Sequence, residues 1–291
     1  MAGMGILLWV AMAMVLQAED AGSLMVQARQ AYVSKDYAKC AELYGAAVKA
    51  GLLGSDTPYN AACCHALSGN ATDAFGWLTK AIQAGWRNVD HLKEDPDLAS
   101  LRTDERWPRI IERCEKAAKM FAETLKEPAL RDSLLQRMKK DQGIRMIPNP
   151  DMEEWTKIDA DNTAYMKTVI DKYGWPGESM VGEDGALAAF LMVQHADKDS
   201  QFQKKCLPLL EAAVQAGEVS AGNLAYLTDR VLIAEGKPQR YGSQFQTVDG
   251  KSVPFPIEDP ANVDARRKAV GLGPLAEYAK EIESMQKERG E

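Results

Sequence analysis

A 34-residue internal spacing in the first third constrains this chain more than any other feature. Lys35-Asp36 stands 34 positions before Gly69-Asn70, and each pair lies at a turn between two segments of apolar periodicity. At the same offset Cys40 matches Ala74, Tyr44 matches Leu78, and Ala47 matches Ala81. Small, large and small side chains at those positions are what two helices packed as a hairpin require, and the period is that of a stacked helical array. A degenerate third unit follows, through Gly85-Trp86, Asp90-His91-Leu92, Asp95-Pro96-Asp97-Leu98 and Leu101-Arg102 to Trp107. A terminal unit must cover the apolar face of its neighbour, so His91 reads as a capping or packing residue rather than a ligand. Ile110 to Lys126 continues as a helix, with Ile111, Cys114, Ala118 and Phe121 at three- and four-residue spacing.

The segments AYVSKDYAKCAELYGAAVKA and PYNAACCHALSGNATDAFGWLTKAIQAG resemble the tetratricopeptide repeat family over residues 24–111. The resemblance implies a concave side that can hold a protein or peptide partner. No cluster of Lys, Arg or Asn lines the predicted inner helices, so a short spacer or dimerisation module stays open beside that reading.

Ahead of the array, Gly5 to Leu16 (GILLWVAMAMVL) is an uncharged apolar run followed by Gln17-Ala18 and Glu19-Asp20. Its twelve residues suit a signal-peptide core and fall short of the roughly 20 that cross a bilayer. The expectation is an exported, periplasmic or secreted protein with a signal peptide over residues 1–18 and no membrane span once it is removed. No Lys or Arg precedes the run, and Leu16 is large for a cleavage site after Ala18. Counted from Met1 to Ala18, the apolar stretch allows an uncleaved anchor as the alternative. A buried N-terminal helix is the third reading, against which the run lacks polar residues at helical spacing. Five cysteines, Cys40, Cys63, Cys64, Cys114 and Cys206, leave an odd thiol, and one disulfide among the first four is compatible with export. No C-x-x-C pair supports a zinc ribbon or a thioredoxin-like site, and burial at helix contacts is the simpler role for most of these thiols.

At about 150 residues per domain, a chain of 291 residues has room for a second domain. A break at Glu127-Pro128 separates residues 22–126 from residues 127–291. Helices are predicted over Leu130–Met146, Asp151–Tyr173, Ala186–Val193, Gln203–Ala216, Asn223–Glu235, Val263–Val270 and Pro274–Ile282. Ala186–Val193 (ALAAFLMV) is apolar all round and therefore central. Thr247 to Val253 contains the Asp-Gly turn of a small hairpin. The fold class is all-α: a short helical hairpin array, then a helical bundle with one small β-hairpin. A net charge of −7 leaves no basic footprint for nucleic acid, and three histidines cannot build a histidine-rich metal centre. Dinucleotide, P-loop and hydrolase-elbow motifs do not occur.

Polar residues interrupt the apolar helices of the second domain in a restricted set of places. The central helix runs into Gln194-His195-Ala196-Asp197, a later one carries Tyr226, Asp229 and Arg230, and a glycine-bounded loop follows with Gln239, Arg240, Tyr241, Ser243 and Gln244. Upstream, Arg137, Asp141 and Arg145 share one helix face. As an active site, His195 would act as acid or base with Asp197 or Asp229 orienting its ring. Arg230 and Arg240 would hold a carboxylate or phosphate, Gln194, Gln239 and Gln244 would supply neutral donors, and Tyr241 a wall and a hydroxyl. The ligand would be small and anionic or peptidic. As a structural network, the same groups would satisfy backbone atoms and fix helix register. His195, Asp197 and Asp229 lack the spacing of a metal site, and the sequence leaves any cofactor unknown.

The strings DQGIR, YGWPG, VQHAD, LTDR, PQRYGSQ and PIEDPANVDARR, within residues 136–279, resemble the bacterial domain-of-unknown-function family numbered 6624. Ser243 stands where that family usually has Thr. The resemblance implies a helical domain in which these strings recur and brings no established activity; a non-catalytic envelope or interaction scaffold is the alternative to a ligand-binding domain.

Overall fold

A computed structural model describes residues 23–52, 54–248 and 250–289, so the expected signal segment over residues 1–18 lies outside the described residues. The chain divides after Thr124 into two compact units.

In the first unit, α1 (23–33) leads into α2 (Tyr37–Lys49), α3 (Asp56–Leu67) and α4 (Ala71–Gln83). The 34-residue offset is reproduced at both ends of a helix: α2 begins after Asp36 and α4 after Asn70, and each N-cap side chain accepts a hydrogen bond from the amide three residues on. All three matched pairs, Cys40/Ala74, Tyr44/Leu78 and Ala47/Ala81, are buried. The third unit is irregular. Its first helix is split into α5 (Val89–Glu94) and a 3₁₀ segment, Pro96–Leu101, because Asp95 takes an extended conformation ahead of proline. Helix α6 (Trp107–Ala122) then lies beside α4, with Arg106 and Arg113 reaching Thr72 and Thr79 at 3.4 and 3.3 Å. The helical hairpins are consistent with repeats.

Cys40 and Cys64 form a disulfide that ties α2 to α3, with Cα atoms 5.8 Å apart. Cys63, Cys114 and Cys206 are free and buried. Burial raises each thiol pKa, to about 11 for Cys114 and about 12 for Cys206.

The second unit is a helical bundle built from α7 (Pro128–Met146), α8 (Met152–Tyr173), α9 (Glu178–Gln194), α10 (Ser200–Gln215) and α11 (Ala221–Ala234). The apolar run expected to be central is so: Ala188, Ala189, Phe190, Met192 and Val193 of α9 pack with Leu134, Met166, Phe202, Leu210 and Leu227 from the surrounding helices. Helix α9 starts eight residues before that run, at Glu178, and kinks where Gly182 takes φ 76° and ψ 164°. After α11, β1 (Phe245–Val248) and β2 (Lys251–Pro254) pair antiparallel with Val248 opposite Lys251, the register of a two-residue turn. Helices α12 (Val263–Ala269) and α13 (Leu275–Arg289) close the unit. Among the described residues no helix is long and apolar enough to cross a membrane.

Gly242, in the loop before β1, has φ +68°, and a Cβ there would lie 2.9 Å from Leu275 Cδ1 and 3.1 Å from Ile257 Cδ1. Gly242→Ala therefore combines left-handed strain with a close contact, and thermal unfolding should register a loss of about 1–3 kcal/mol. A variant as stable as the parent would show that the loop relaxes without cost.

Candidate functional site

Helices α7 and α8 face one another with polar stripes of matching period. On α7, Arg137, Asp141 and Arg145 recur every four residues; on α8, Trp155, Asp159 and Asn162 occupy one face. Arg145 donates to Asp141 at 3.0 Å and also grips Asp159, while Trp155 Nε1 donates to the other Asp159 oxygen at 3.0 Å. The Arg145 guanidinium lies 4.7 Å from the Trp155 ring centroid.

His195 enters this network from the C-terminal end of α9. Its Nδ1 lies 3.1 and 3.0 Å from the two Asp141 oxygens. Asp141 is fully buried and the His195 side chain is 15 % exposed. Burial alone would raise the Asp141 pKa, but hydrogen bonds from His195 and Arg145 outweigh it and bring the pKa down to about 2. Asp159 is shifted the other way, upward, by burial and only partly offset by Arg145. An ionised Asp141 can only accept, so in the neutral imidazole Nδ1 carries the proton and Nε2 the basic lone pair. The arrangement is that of a histidine oriented by a buried carboxylate.

One helical turn toward the N-terminus of α7, the two helices frame a cleft of about 550 Å³ lined by Arg137, Lys140, Asp161, Asn162 and Tyr165 among others. Arg137 donates to Asn162 Oδ1 at 3.2 Å and stacks 4.0 Å from the Tyr165 ring centroid. Because a guanidinium cannot accept, this bond fixes which way the amide faces. Asn162 is 4 % exposed, and its Nδ2 is buried with no partner. An orphaned donor on a residue that shares a cleft lining with two cations is the arrangement expected of a site for an acceptor-bearing, anionic ligand.

The residues expected to converge on His195 are placed elsewhere. Asp229 is fully buried and accepts from the backbone amides of Arg240 (2.7 Å), Tyr241 (3.0 Å) and Ser243 (2.9 Å), so it staples the glycine-bounded loop to α11. Asp197 pairs with Arg230, whose Nη1 reaches both carboxylate oxygens at 2.6 and 2.7 Å. The carboxylate on His195 is thus Asp141, not Asp197 or Asp229. Gln239 is fully buried, donating to the carbonyls of Gln244 and Phe255 and accepting from the Gln244 amide. Gln194 offers its carbonyl to Gln203 Nε2 at 2.9 Å, and the Gln244 side chain donates to Ser243 Oγ. Arg240 is half-exposed with its Nε 3.9 Å from Glu258, and Tyr241 lends its carbonyl to buried Arg267 at 2.8 Å. Most of the loop's polar inventory therefore satisfies backbone groups.

Sequence reasoning passed over Asp159, Trp155 and Asn162. The signal for them was present: a polar stripe on α8 with nothing to face unless the Arg137–Asp141–Arg145 stripe of α7 lies against it.

A protein family described as a family of unknown function, DUF6624, matches residues 120–287, more than half of the chain. No curated protein and no solved structure matches.

Proposed function

The chain belongs to the DUF6624 family of unknown function, and from that premise we propose that its C-terminal domain binds a small anionic ligand in the α7/α8 cleft, with the His195–Asp141 pair as the adjoining proton-handling group. The observation that carries this reading is the buried, unpartnered Nδ2 of Asn162, a residue that lines the same cleft as Arg137 and Lys140. Retaining a buried orphan donor costs about 1–3 kcal/mol, a cost that stability alone does not recover and a bound acceptor would. Arg137 and Lys140 supply charge attraction; the Tyr165 ring supplies an apolar wall. Asp141 follows Lys140 directly on α7 and holds His195, which links the cleft-lining helix to the imidazole.

Calorimetric titration of the full chain with inorganic phosphate and with short mono- and dicarboxylates tests it. Asn162→Asp keeps the oxygen that accepts from Arg137 but loses the free donor and adds a negative charge. It should weaken binding of the responding anion by about 10–100-fold with little loss of stability. Absence of binding by every anion of the panel, or an unchanged affinity in Asn162→Asp, would sink the reading.

Export is part of the proposal and is supported by the apolar run Gly5–Leu16 and by the Cys40–Cys64 disulfide. A second reading, a scaffold that docks a protein through the hairpin array, draws on Val26 and Val33. These residues share one face of α1 and are 56 % and 80 % exposed. Under that reading, Val33→Asp would abolish self-association or partner binding and leave anion binding intact.

A further inference from the structure

We infer that Cys63, His91, Asp95 and Asp97 of the first unit bind one divalent cation of the zinc class. The four donors come from three separate elements: Cys63 from α3, His91 from α5, and the two aspartates from the Asp-Pro-Asp entry to the 3₁₀ segment. Ligand atoms of Cys63, Asp95 and Asp97 all lie within 4.8 Å of one another. Cys63 Sγ is 3.7 Å from Asp95 Oδ2, and His91 Nε2 is 3.3 Å from the same oxygen. Donors around a tetrahedral zinc ion stand about 3.3–3.8 Å apart, given bonds of roughly 2.0–2.3 Å. Two of the edges are already in that range, and Asp97 lies within 4.8 Å of the Cys63 and Asp95 donors. His91, exposed and outside that close group, is the ligand that would turn inward to complete the set.

The donor chemistry favours this ion class. One thiolate, one imidazole and two carboxylates form a mixed set that suits a borderline-soft ion and suits neither calcium nor magnesium. The outer contacts are those that orient metal ligands. Tyr59 donates to Asp95 at 2.7 Å, Tyr32 donates to Asp97 at 2.9 Å, and the Asp97 amide donates to Asp95 Oδ1 at 2.9 Å. A cavity of about 590 Å³ opens onto the cluster and gives an entry path. The indole N–H of Trp86, in the wall of that cavity, is buried without a partner, so a donor remains for a water or anion held in the cavity beside the ion. Binding replaces the Cys63 S–H with a sulfur–metal bond and releases that proton to solvent. The ion would clamp α3 to the split third unit, where the helical repeat is least regular.

The test is a titration of the chelator-stripped full chain with Co²⁺, followed by displacement with Zn²⁺. The expected result is one equivalent bound, with the near-ultraviolet band of thiolate-to-cobalt charge transfer, both reversed by zinc. Cys63→Ser should abolish the band and weaken binding on the order of 100-fold, and Tyr32→Phe should weaken it by about 10-fold. Because Cys63 is buried and its variant can misfold, half-buried Asp97→Asn provides the second arm, with a loss comparable to that of Cys63→Ser. No stoichiometric cobalt in the parent, a bound cobalt without the thiolate band, or unchanged binding in Asp97→Asn would each overturn the assignment.

Discussion

Replacing Asp229 with alanine is expected to destabilise the C-terminal unit by about 3–5 kcal/mol. The carboxylate is fully buried on α11 and accepts from three loop amides, those of Arg240, Tyr241 and Ser243. Alanine leaves all three donors without their acceptor, the Ser243 amide in a buried place and the other two in part-buried ones, at about 1–3 kcal/mol for each that water does not reach. The loss spreads outward, because Arg267 and Arg266 hold the Tyr241 and Arg240 carbonyls of the same loop. Asp229→Asn should cost less, since one oxygen still accepts while the NH₂ group opposes an amide. The measurement is urea unfolding combined with hydrogen exchange at residues 240, 241 and 243, which should lose their protection in Asp229→Ala. A loss below about 1 kcal/mol with exchange unchanged would show that the loop is held by something else. The experiment also bears on function: a group kept for chemistry at the expense of stability is expected to give a neutral or stabilising alanine variant.

Asp229 illustrates why part of this molecule was legible in its sequence and part was not. The hairpin array was readable because its period is carried by side-chain size and by the caps Asp36 and Asn70, both local properties. The β-hairpin was readable for the same reason, since two residues set its register. The partner of His195 was not, because Asp141 lies 54 positions away on another helix and nothing local links them. Asp229 and Gln239 looked like site residues for a related reason. Their partners are backbone amides and carbonyls, which every residue carries and which leave no trace in composition. Helix α9 was read as beginning at Ala186 because Gly182 and Gly185, with the acidic residues around them, mask its first turns.

The second large effect is expected at Asp141, and its signature is a dependence on pH. The folded-state pKa of about 2 lies below an unfolded value near 3.9, so ionised Asp141 contributes stability above the unfolded pKa and loses it as pH falls through the folded one. The difference corresponds to about 2–3 kcal/mol at neutral pH. Asp141→Asn resembles the protonated acid in shape and charge, so the gap between parent and variant should be about 2–3 kcal/mol at pH 7. It should shrink to about half that near pH 3 and nearly close near pH 2. Glu235 and Asp104 are also held down to about 2, by Lys204 and Lys237 and by Arg106, but both are at the surface and unchanged in the variant, so the comparison cancels them. Unfolding of the second unit, followed through amide exchange in α7 and α9 across this pH range, gives the result. A gap that stays constant from pH 7 to pH 2 would mean that Asp141 acts through shape alone, and that its charge does not hold His195 and Arg145 in place. A gap that closes with acid would establish the charged pair as the device that fixes the imidazole. His195 Nε2 would then be presented as a base by the same electrostatics that stabilise the bundle.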